Sequence, residues 1–244
     1  MTTPASAQTV AATFGQVTVS VSDGSFMVEP AAAVIVSANS HLRTASGGAH
    51  DVTRVAGPDY QSACAELLQD HPDGLPQGSA WLTGGGQGAE FTLTAGTRKV
   101  IQAITLRYLN GQPIRATPAI VYHAARSAFA CADEAGIDRV ATYLWAIRDG
   151  YGTARPAEMA AALVSAAADH GTEAVNLCQI AICEQGSDHS RYWLAVEALL
   201  QTRDLWHVHP HGWQGCRSEP PRAQASQLSR VSGSRIAQGT HAGS

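Results

Sequence analysis

Two glycine-bearing loops, each directly after a strand-like run, hold the residue types best suited to chemistry. The first loop runs from Asn39 to Gly48, and the second runs from Arg148 to Gly152. A helical segment follows each loop, so that backbone N–H groups and a partly positive helix terminus face the same point. Glycine lets the backbone approach phosphate oxygens without an intervening Cβ atom. The two loops therefore predict a site for a diphosphate group, and such a site needs no lysine.

Other glycine patterns in the chain fit a ligand site less well. The sequence has no P-loop motif, and residues 84–89 only loosely match a dinucleotide-binding fingerprint. This run leads into a strand and not into a helix, so we interpret it as a hairpin turn. Connector glycines needed only for tight turns would explain either of the two main loops taken alone. Their joint position at the carboxyl ends of strands favours a ligand site.

The order of strand and helix patterns predicts the architecture that positions these loops. The predicted strands are 16–22, 33–38, 79–83, 90–95, 99–106, 139–146 and 174–183, with a glycine hairpin at 84–88 between the third and the fourth. The predicted helices are a short one ending at 56, then 58–69, 118–136, 156–170 and 188–202, the last capped by Asp188. Alternation of this kind is typical of a three-layer α/β/α sandwich with a mixed central sheet.

Periodicity also predicts the domain boundaries. Apolar periodicity covers residues 13–205, which we assign to one folded domain. Residues 1–12 are small and polar and are expected to be flexible, and residues 206–244 are rich in Ser, Gly, Gln, Arg and Pro and are expected to form a disordered tail.

Composition and charge restrict the possible partners. The chain of 244 residues is 45% hydrophobic and 15% charged, with a formal charge of −4 and Lys99 as the only lysine. Attraction to nucleic acid is therefore expected to be weak, except through the arginine-bearing tail. No apolar run is long enough to span a membrane, and the start of the chain lacks the pattern of a secretory signal. We expect a cytoplasmic protein, and the high Arg to Lys ratio is typical of a GC-rich bacterial genome.

Histidines near the end of the chain raise the question of a metal. Residues 207–211 (His-Val-His-Pro-His) and Cys216 could gather ligands for zinc. No acidic or cysteine partner accompanies them at ligand spacing, so we favour a solvated histidine-rich linker. The sequence predicts neither a metal site nor a cofactor.

Several motifs, in order along residues 16–203, resemble the macro domain family. The run 34–39 (Val-Ile-Val-Ser-Ala-Asn) is similar to the family's strand that ends in Ala-Ala-Asn, and 46–48 with 54–57 is similar to its first binding loop and the helix behind it. Residues 99–103 resemble the strand usually written with Val-Ile-His, and residues 145–152 resemble the second loop.

The resemblance implies ADP-ribose, or a macromolecule that carries it, as the ligand. Asp23 would accept a hydrogen bond from the adenine amino group, although Asp23 beside Gly24 is also a common turn pair. Asn39 would bind the distal ribose and take part in catalysis, although at a strand end it can also bond its own backbone. The remaining ligand-binding residues would line the diphosphate and the distal sugar, and they are Gly47, Gly48, Arg148, Asp149, Gly150, Tyr151 and Gly152.

The sequence departs from the family's pattern where hydrolytic members activate water. Those members often carry Gly-Gly-Val-Asp-Gly in the first loop, and here Ala49 falls at the aspartate. Either His50 or Asp51 could serve as the general base if the loop turns it toward the ribose, and Asp149 is a weaker candidate. Asp51 could equally favour only the dipole at a helix start. Two functions remain open: an ADP-ribosyl hydrolase, either a glycohydrolase or an O-acyl-ADP-ribose deacylase, and a binding module that reads ADP-ribose without chemistry. A third, weaker alternative is that the arginine-bearing tail contacts nucleic acid while the domain acts as a scaffold.

Overall fold

The described part of the chain forms a three-layer α/β/α sandwich with a mixed central sheet, as the sequence predicts. The computed structural model describes residues 9–44, 47–85, 88–147, 152–185 and 190–208, with side chains as far as Trp206. Within these residues the chain forms nine strands and five helices. All of them lie in one compact unit, Met1–Pro210.

The strands and helices follow one another in this order. The strands are β1 (Thr9–Phe14), β2 (Val17–Asp23), β3 (Ala33–Asn39), β4 (Ala80–Leu82), β5 (Glu90–Leu93), β6 (Gly96–Leu109), β7 (Gln112–Ile114), β8 (Arg139–Thr142) and β9 (Gln179–Glu184). The helices are α1 (Gly47–Ala56), α2 (Pro58–Gln69), α3 (Pro118–Glu134), α4 (Pro156–Gly171) and α5 (Ser190–Val208).

Five parallel strands form the centre of the sheet. The strand order is β1-β2-β9-β8-β3-β6-β4, and β5 and β7 also pair with β6. Each neighbouring pair from β2 to β6 is parallel, whereas β1 and the three partners on the far side of β6 are antiparallel. The carboxyl ends of β2, β9, β8, β3 and β6 therefore meet at one edge of the sheet.

Each face of the sheet has its own apolar core. Ile35 lies in the core beneath α3, α4 and α5, whereas its neighbours Val34 and Val36 lie in the core beneath α1 and α2. Successive side chains of a strand point to opposite faces, so a strand covered on both sides must be apolar at nearly every position. This explains the continuous apolar run that predicted β3.

Prolines mark the helix starts that the sequence predicted. The helices α2, α3 and α4 begin at Pro58, Pro118 and Pro156, where the missing N–H group costs no intrahelical bond. Thr117 caps α3, because its Oγ1 atom accepts a hydrogen bond from the N–H of Ile120 at 3.2 Å.

None of the described helices is both long enough and apolar enough to cross a lipid bilayer. Asp188, the predicted cap of the last helix, lies outside the described residues.

Both predicted domain boundaries fall inside regular elements. Strand β1 begins at Thr9, so residues 9–12 are part of the sheet and not of a flexible terminus. At the other end α5 continues to Val208, three residues into the predicted tail. The rings of Phe14 and Trp206 meet edge to face with their centroids 5.5 Å apart. Pairing with β2 and this tertiary contact order two segments whose composition alone indicates a loop; residues 209–244 lie outside the described part.

The predicted hairpin between residues 79–83 and 90–95 is wrong. Strands β4 and β5 do not pair with each other, because both pair antiparallel with β6, at Ala80 with Ala103 and at Glu90 with Lys99. The N–H of Ala89 donates to the Thr83 carbonyl at 2.8 Å, which brings the chain before β5 back beside the end of β4. Strand β6 has 14 residues and is longer than the predicted strand 99–106, so β4 and β5 can both pair along it.

Asp133, near the end of α3, holds the segment that leads into β9. Its carboxylate accepts from the N–H groups of Val175 at 3.1 Å, Asn176 at 2.6 Å and Leu177 at 2.6 Å. Burial raises the pKa of this carboxyl, but the three backbone donors together outweigh burial, so the pKa lies below its ordinary value. The segment 174–178 is therefore held outside the sheet, and β9 begins at Gln179, later than the predicted strand.

The Asp133 interaction predicts a pH-dependent loss of stability. We expect Asp133→Asn to lower the free energy of unfolding by about 1–2 kcal/mol at pH 7, because the neutral amide accepts more weakly than the carboxylate and places an NH₂ donor where Oδ2 accepts from Val175. The lowered pKa means that the stabilisation is present above the unfolded pKa, about 3.9, and is lost as the pH falls through the folded pKa. Urea unfolding at pH 7 and below pH 4 should show the difference shrinking in acid. The exposed neighbour change Glu134→Gln is the control; an equal difference at both pH values would contradict the assignment.

Candidate functional site

A cleft of about 480 Å³ opens at the edge where the five parallel strands end. Its size suits a ligand of nucleotide dimensions. Ligands bind at this edge in open α/β sheets because the strand ends and the following loops leave a crevice there. Strands and the loops that follow them provide most of the wall, with Gly24, Ser25, Phe26, Ser37, Ala38, Asn39, Thr105, Leu106, Tyr143, Leu144, Cys183 and Glu184.

Asn39 lies in the cleft wall, but its amide group is engaged in the loop that it begins. Its Oδ1 atom accepts from the N–H groups of His41 and Arg43, both at 3.1 Å. Its Nδ2 atom donates to the carbonyl of Arg43 at 2.6 Å. The structure thus shows the bonding of Asn39 to its own backbone, the alternative that the sequence left open. One effect of this bonding is to hold Arg43 beside the cleft, where it also lines the wall.

The amino terminus of α1 forms another part of the wall. Gly47 and Gly48 begin this helix, and both line the cleft together with Ala49 and Asp51. Gly47 has φ +71°, a left-handed conformation that favours glycine. Asp51 is half-buried, so one of the two candidate bases lies in the cleft wall. The other candidate, His50, is exposed and its Nδ1 atom is 3.1 Å from the Thr44 carbonyl oxygen, outside the described lining.

Tyr143, which follows β8, lies over the start of α1. Its hydroxyl oxygen accepts from the N–H of Ser37 at 3.2 Å and from the N–H of Gly48. A Cβ atom added to Gly48 would lie 2.6 Å from the Cζ atom of Tyr143. Because Gly48 does not have a positive φ, the tyrosine ring is the feature that requires glycine here. The position of the Tyr143 ring therefore excludes any side chain at position 48.

Neighbouring groups keep the Tyr143 hydroxyl protonated. Burial raises its pKa, and the charges of Glu184 and Asp51 act in the same direction, whereas the two backbone donors lower the pKa by less. The ring also packs against Phe26, with the two centroids 5.0 Å apart. The side chain is thus held in place on both its polar and its apolar sides.

Charges of both signs line the cleft. Arg43 and the half-buried Arg191, in the first turn of α5, provide guanidinium groups. Glu184, at the end of β9, is only 4% exposed, and its Oε1 atom accepts from the N–H of Leu144 at 2.5 Å. With Asp51, the described part of the wall holds two carboxylates and two guanidinium groups. The arrangement can bind an anion on its basic side and accept a proton on its acidic side.

Sequence reasoning missed Phe26, Tyr143, Glu184 and Arg191. One signal was present for Glu184, a charged residue at the end of an apolar strand in the same position as Asn39. Tyr143 was assigned to a strand that in fact ends at Thr142. For Arg191 there was no signal, because its place in the cleft depends on how α5 packs.

Two other predicted residues lie near the cleft but outside its described lining. Asp23 is half-buried at the end of β2, opposite Glu184 in the sheet, and the cleft wall begins with the next residue, Gly24. Gly152 forms a bridge with Ala116, and an added Cβ would lie 2.7 Å from the Cε atom of Met159. The backbone carbonyl oxygen of Ala146 lies nearer still to this added Cβ, so the close approach of two backbone segments is what requires glycine at 152.

In the second predicted loop, Arg148, Asp149, Gly150 and Tyr151 lie outside the described residues. The two residues that lead into them, Ala146 and Ile147, do line the cleft, and Ala146 has φ +56°. The chain therefore enters this loop from the wall of the cleft.

Gln102, in the strand that resembles Val-Ile-His, is buried and its Nε2 atom donates to Tyr60 at 2.5 Å and to Thr83 at 3.0 Å. It links the sheet to α2 and does not belong to the described cleft lining.

Among the described residues no group of three histidine, cysteine or acidic side chains could hold a metal ion. The side chains of residues 207–211 and Cys216 lie outside that part.

Solved structures with a similar fold are macrodomains. A mutant macrodomain of Oceanobacillus iheyensis is similar with a TM-score of 0.67 and 16% identity, covering 83% of this chain and 97% of the other. Another mutant of that macrodomain, solved with ADPR, has a TM-score of 0.63 and 17% identity over 80% of this chain and 100% of its own. A Trypanosoma brucei macrodomain in complex with ADP has a TM-score of 0.59 and 17% identity, over 74% and 68% of the two chains.

These comparisons define the fold of the chain. No protein-family model matches the sequence, and no curated protein matches it either. The structural similarity nevertheless covers most of the chain and nearly all of the Oceanobacillus domain. The chain has the macrodomain fold, as its ordered motifs predicted.

The fit of Gly48 to Tyr143 predicts strong non-additivity. We expect Gly48→Ala to lower the free energy of unfolding by about 1–3 kcal/mol, because the new methyl group overlaps the tyrosine ring. In a Tyr143→Ala background the same change should cost far less, since the ring is gone. Urea unfolding of the four proteins in this double-mutant cycle measures the difference. An equal cost in both backgrounds would show that the ring does not determine the residue at position 48.

Proposed function

We propose that the cleft binds ADP-ribose, free or attached to a macromolecule, through its diphosphate. The observation that supports this most directly is the meeting of three positive features at one crevice. These are the amino terminus of α1 at Gly47 and Gly48, and the side chains of Arg43 and Arg191. Helix amino termini attract anions, and guanidinium groups form strong charge-assisted bonds with phosphate oxygens.

The remaining wall suits a nucleoside. Phe26 provides aromatic surface beside Gly24 and Ser25, where an adenine ring could pack. Asp23 directly precedes these residues, and the resemblance to macro domains makes it our candidate acceptor for the adenine amino group. The Oceanobacillus domain solved with ADPR and the Trypanosoma domain solved with ADP support a ligand of this class.

The second loop is proposed to close over the distal ribose. Its first neighbours, Ala146 and Ile147, lie in the cleft wall. In this proposal Gly150 and Gly152 border the diphosphate, and Tyr151 packs on the sugar. Arg148 and Asp149 contact the same part of the ligand.

Hydrolysis of the ADP-ribosyl linkage is the finer form of this proposal. Asp51 would take a proton from a water molecule as the water oxygen bonds to the anomeric carbon, and Asn39 would hold the ribose in position. The bond from that carbon to the acceptor atom would break, and the acceptor would leave with the electron pair and take a proton from Asp51 or from solvent. The half-buried position of Asp51 in the cleft wall supports it as the base.

A binding module without chemistry is the second candidate function. Two observations favour it: Ala49 stands where hydrolytic macro domains often carry an aspartate, and the amide of Asn39 is already bonded to its own loop. In that case the cleft would recognise ADP-ribose on a macromolecule and leave the linkage intact.

Calorimetry of the full chain with ADP-ribose and with adenosine tests the binding proposal. We expect wild type to bind ADP-ribose, and Arg191→Ala to weaken binding about tenfold, because one charge-assisted contact to phosphate is lost. Adenosine, which has no phosphate, should be little affected by this change. Arg203→Ala is the matched control, since Arg203 lies further along α5 and pairs with Asp204. If wild type binds neither ADP-ribose nor AMP, the proposed function is wrong.

Turnover distinguishes the hydrolase from the binding module. With an ADP-ribosylated protein as substrate, we expect a hydrolase to release ADP-ribose and Asp51→Ala to slow this release about 10²–10⁴-fold, as for loss of a general base. Asp59→Ala, which removes an exposed carboxylate at the start of α2, is the control. Tight binding of ADP-ribose without release by wild type would establish the binding module. An active protein indifferent to both Asp51→Ala and Asn39→Ala would refute these roles.

A further inference from the structure

The Tyr143 hydroxyl links two segments that are far apart in the sequence. Its oxygen accepts from the N–H of Ser37, inside β3, and from the N–H of Gly48, in the first turn of α1. A phenol hydroxyl has one hydrogen to donate besides the lone pairs with which it accepts. The two backbone donors occupy the accepting side of the oxygen, so its hydrogen must point away from both.

Within the described residues, no side chain or carbonyl accepts this hydrogen. Tyr143 lines the cleft, and so do Ser37 and Gly48, the two residues whose N–H groups bond its hydroxyl. A buried donor without an acceptor costs free energy, and a ligand oxygen in the cleft would remove this cost. The hydroxyl hydrogen can therefore donate a hydrogen bond to a ligand in the cleft.

We propose that Tyr143 is a ligand-positioning residue, which donates its hydroxyl hydrogen to a diphosphate oxygen of the bound nucleotide. This inference rests on the proposed function. The diphosphate is the part of the ligand expected at the start of α1, and the Gly48 N–H belongs to that helix terminus. In this arrangement the two N–H groups donate to the Tyr143 hydroxyl, and the hydroxyl donates to the phosphate oxygen, which makes a short chain of hydrogen bonds.

The geometry makes this donor effective. A hydroxyl that accepts two hydrogen bonds is polarised and donates more strongly in turn. The ring packs against Phe26 and lies close to the backbone of Gly48, so its position is already restricted before a ligand binds. Little rotational freedom is therefore lost on binding. The pKa of Tyr143 is raised above its ordinary value by burial and by the charges of Glu184 and Asp51, which keeps the hydrogen in place at neutral and mildly basic pH. Its contribution should therefore be the same at pH 6 and at pH 8.

The test is Tyr143→Phe in the full chain, because phenylalanine keeps the ring and removes only the hydroxyl. We expect calorimetry to show an affinity for ADP-ribose reduced about 5- to 30-fold, as for one lost hydrogen bond to a charged group. Affinity for adenosine, which has no diphosphate, should be unchanged. Tyr122→Phe is the matched control: it removes a hydroxyl that donates to Asp169 between α3 and α4, and it should leave both affinities unchanged.

The outcomes separate this inference from the proposed function. Unchanged affinity of Tyr143→Phe for ADP-ribose would overturn the role of Tyr143 and leave the proposed function in place. An equal loss for ADP-ribose and adenosine would also overturn it, since that pattern indicates a structural role. If wild type binds no ADP-ribose, both conclusions fail together.

A second measurement does not depend on the folding of a variant. In wild-type protein with ¹³C at the tyrosine Cζ positions, the Tyr143 resonance should shift when ADP-ribose is added and stay in place when adenosine is added. The reverse pattern, or no shift with either ligand, would overturn the inference.

Discussion

Parallel pairing of β2, β9, β8, β3 and β6 is the constraint on which the rest of the molecule depends. Parallel strands require crossover connections, and these place helices on both faces of the sheet. The strands are then covered on both sides, which explains their continuous apolar runs. Because the five strands point the same way, their carboxyl ends meet at one edge, and the cleft lies there.

This edge gathers residues that are distant in the sequence into one wall. Asn39, Tyr143 and Glu184 each end or follow a different strand, and each makes a bond that orders the neighbouring backbone. Polar groups at strand ends must be satisfied once the ladder stops. The same requirement therefore shapes the loops and leaves some donors and charges directed at the cleft, where an anionic ligand can use them.

Much of the site at the start of α1 could be predicted from the residues. Gly47 and Gly48 lie in the cleft wall, because a glycine loop after a parallel strand must lie at the sheet edge. The reason for Gly48 could not be predicted: it depends on the ring of Tyr143, almost a hundred residues away. Arg191 and Phe26 were missed for the same reason, since packing decides where these side chains point.

By itself, the sequence determined the layered architecture, the helix starts at prolines and the ordered motifs of the macrodomain fold, because these follow from local periodicity and backbone chemistry. Only the tertiary structure decided that β4 and β5 share β6, that β1 closes the edge of the sheet, and that Asp51 and not His50 reaches the cleft wall. The physical reason is that strand partners and side-chain contacts depend on residues distant in the chain, and no local pattern specifies which of them will meet.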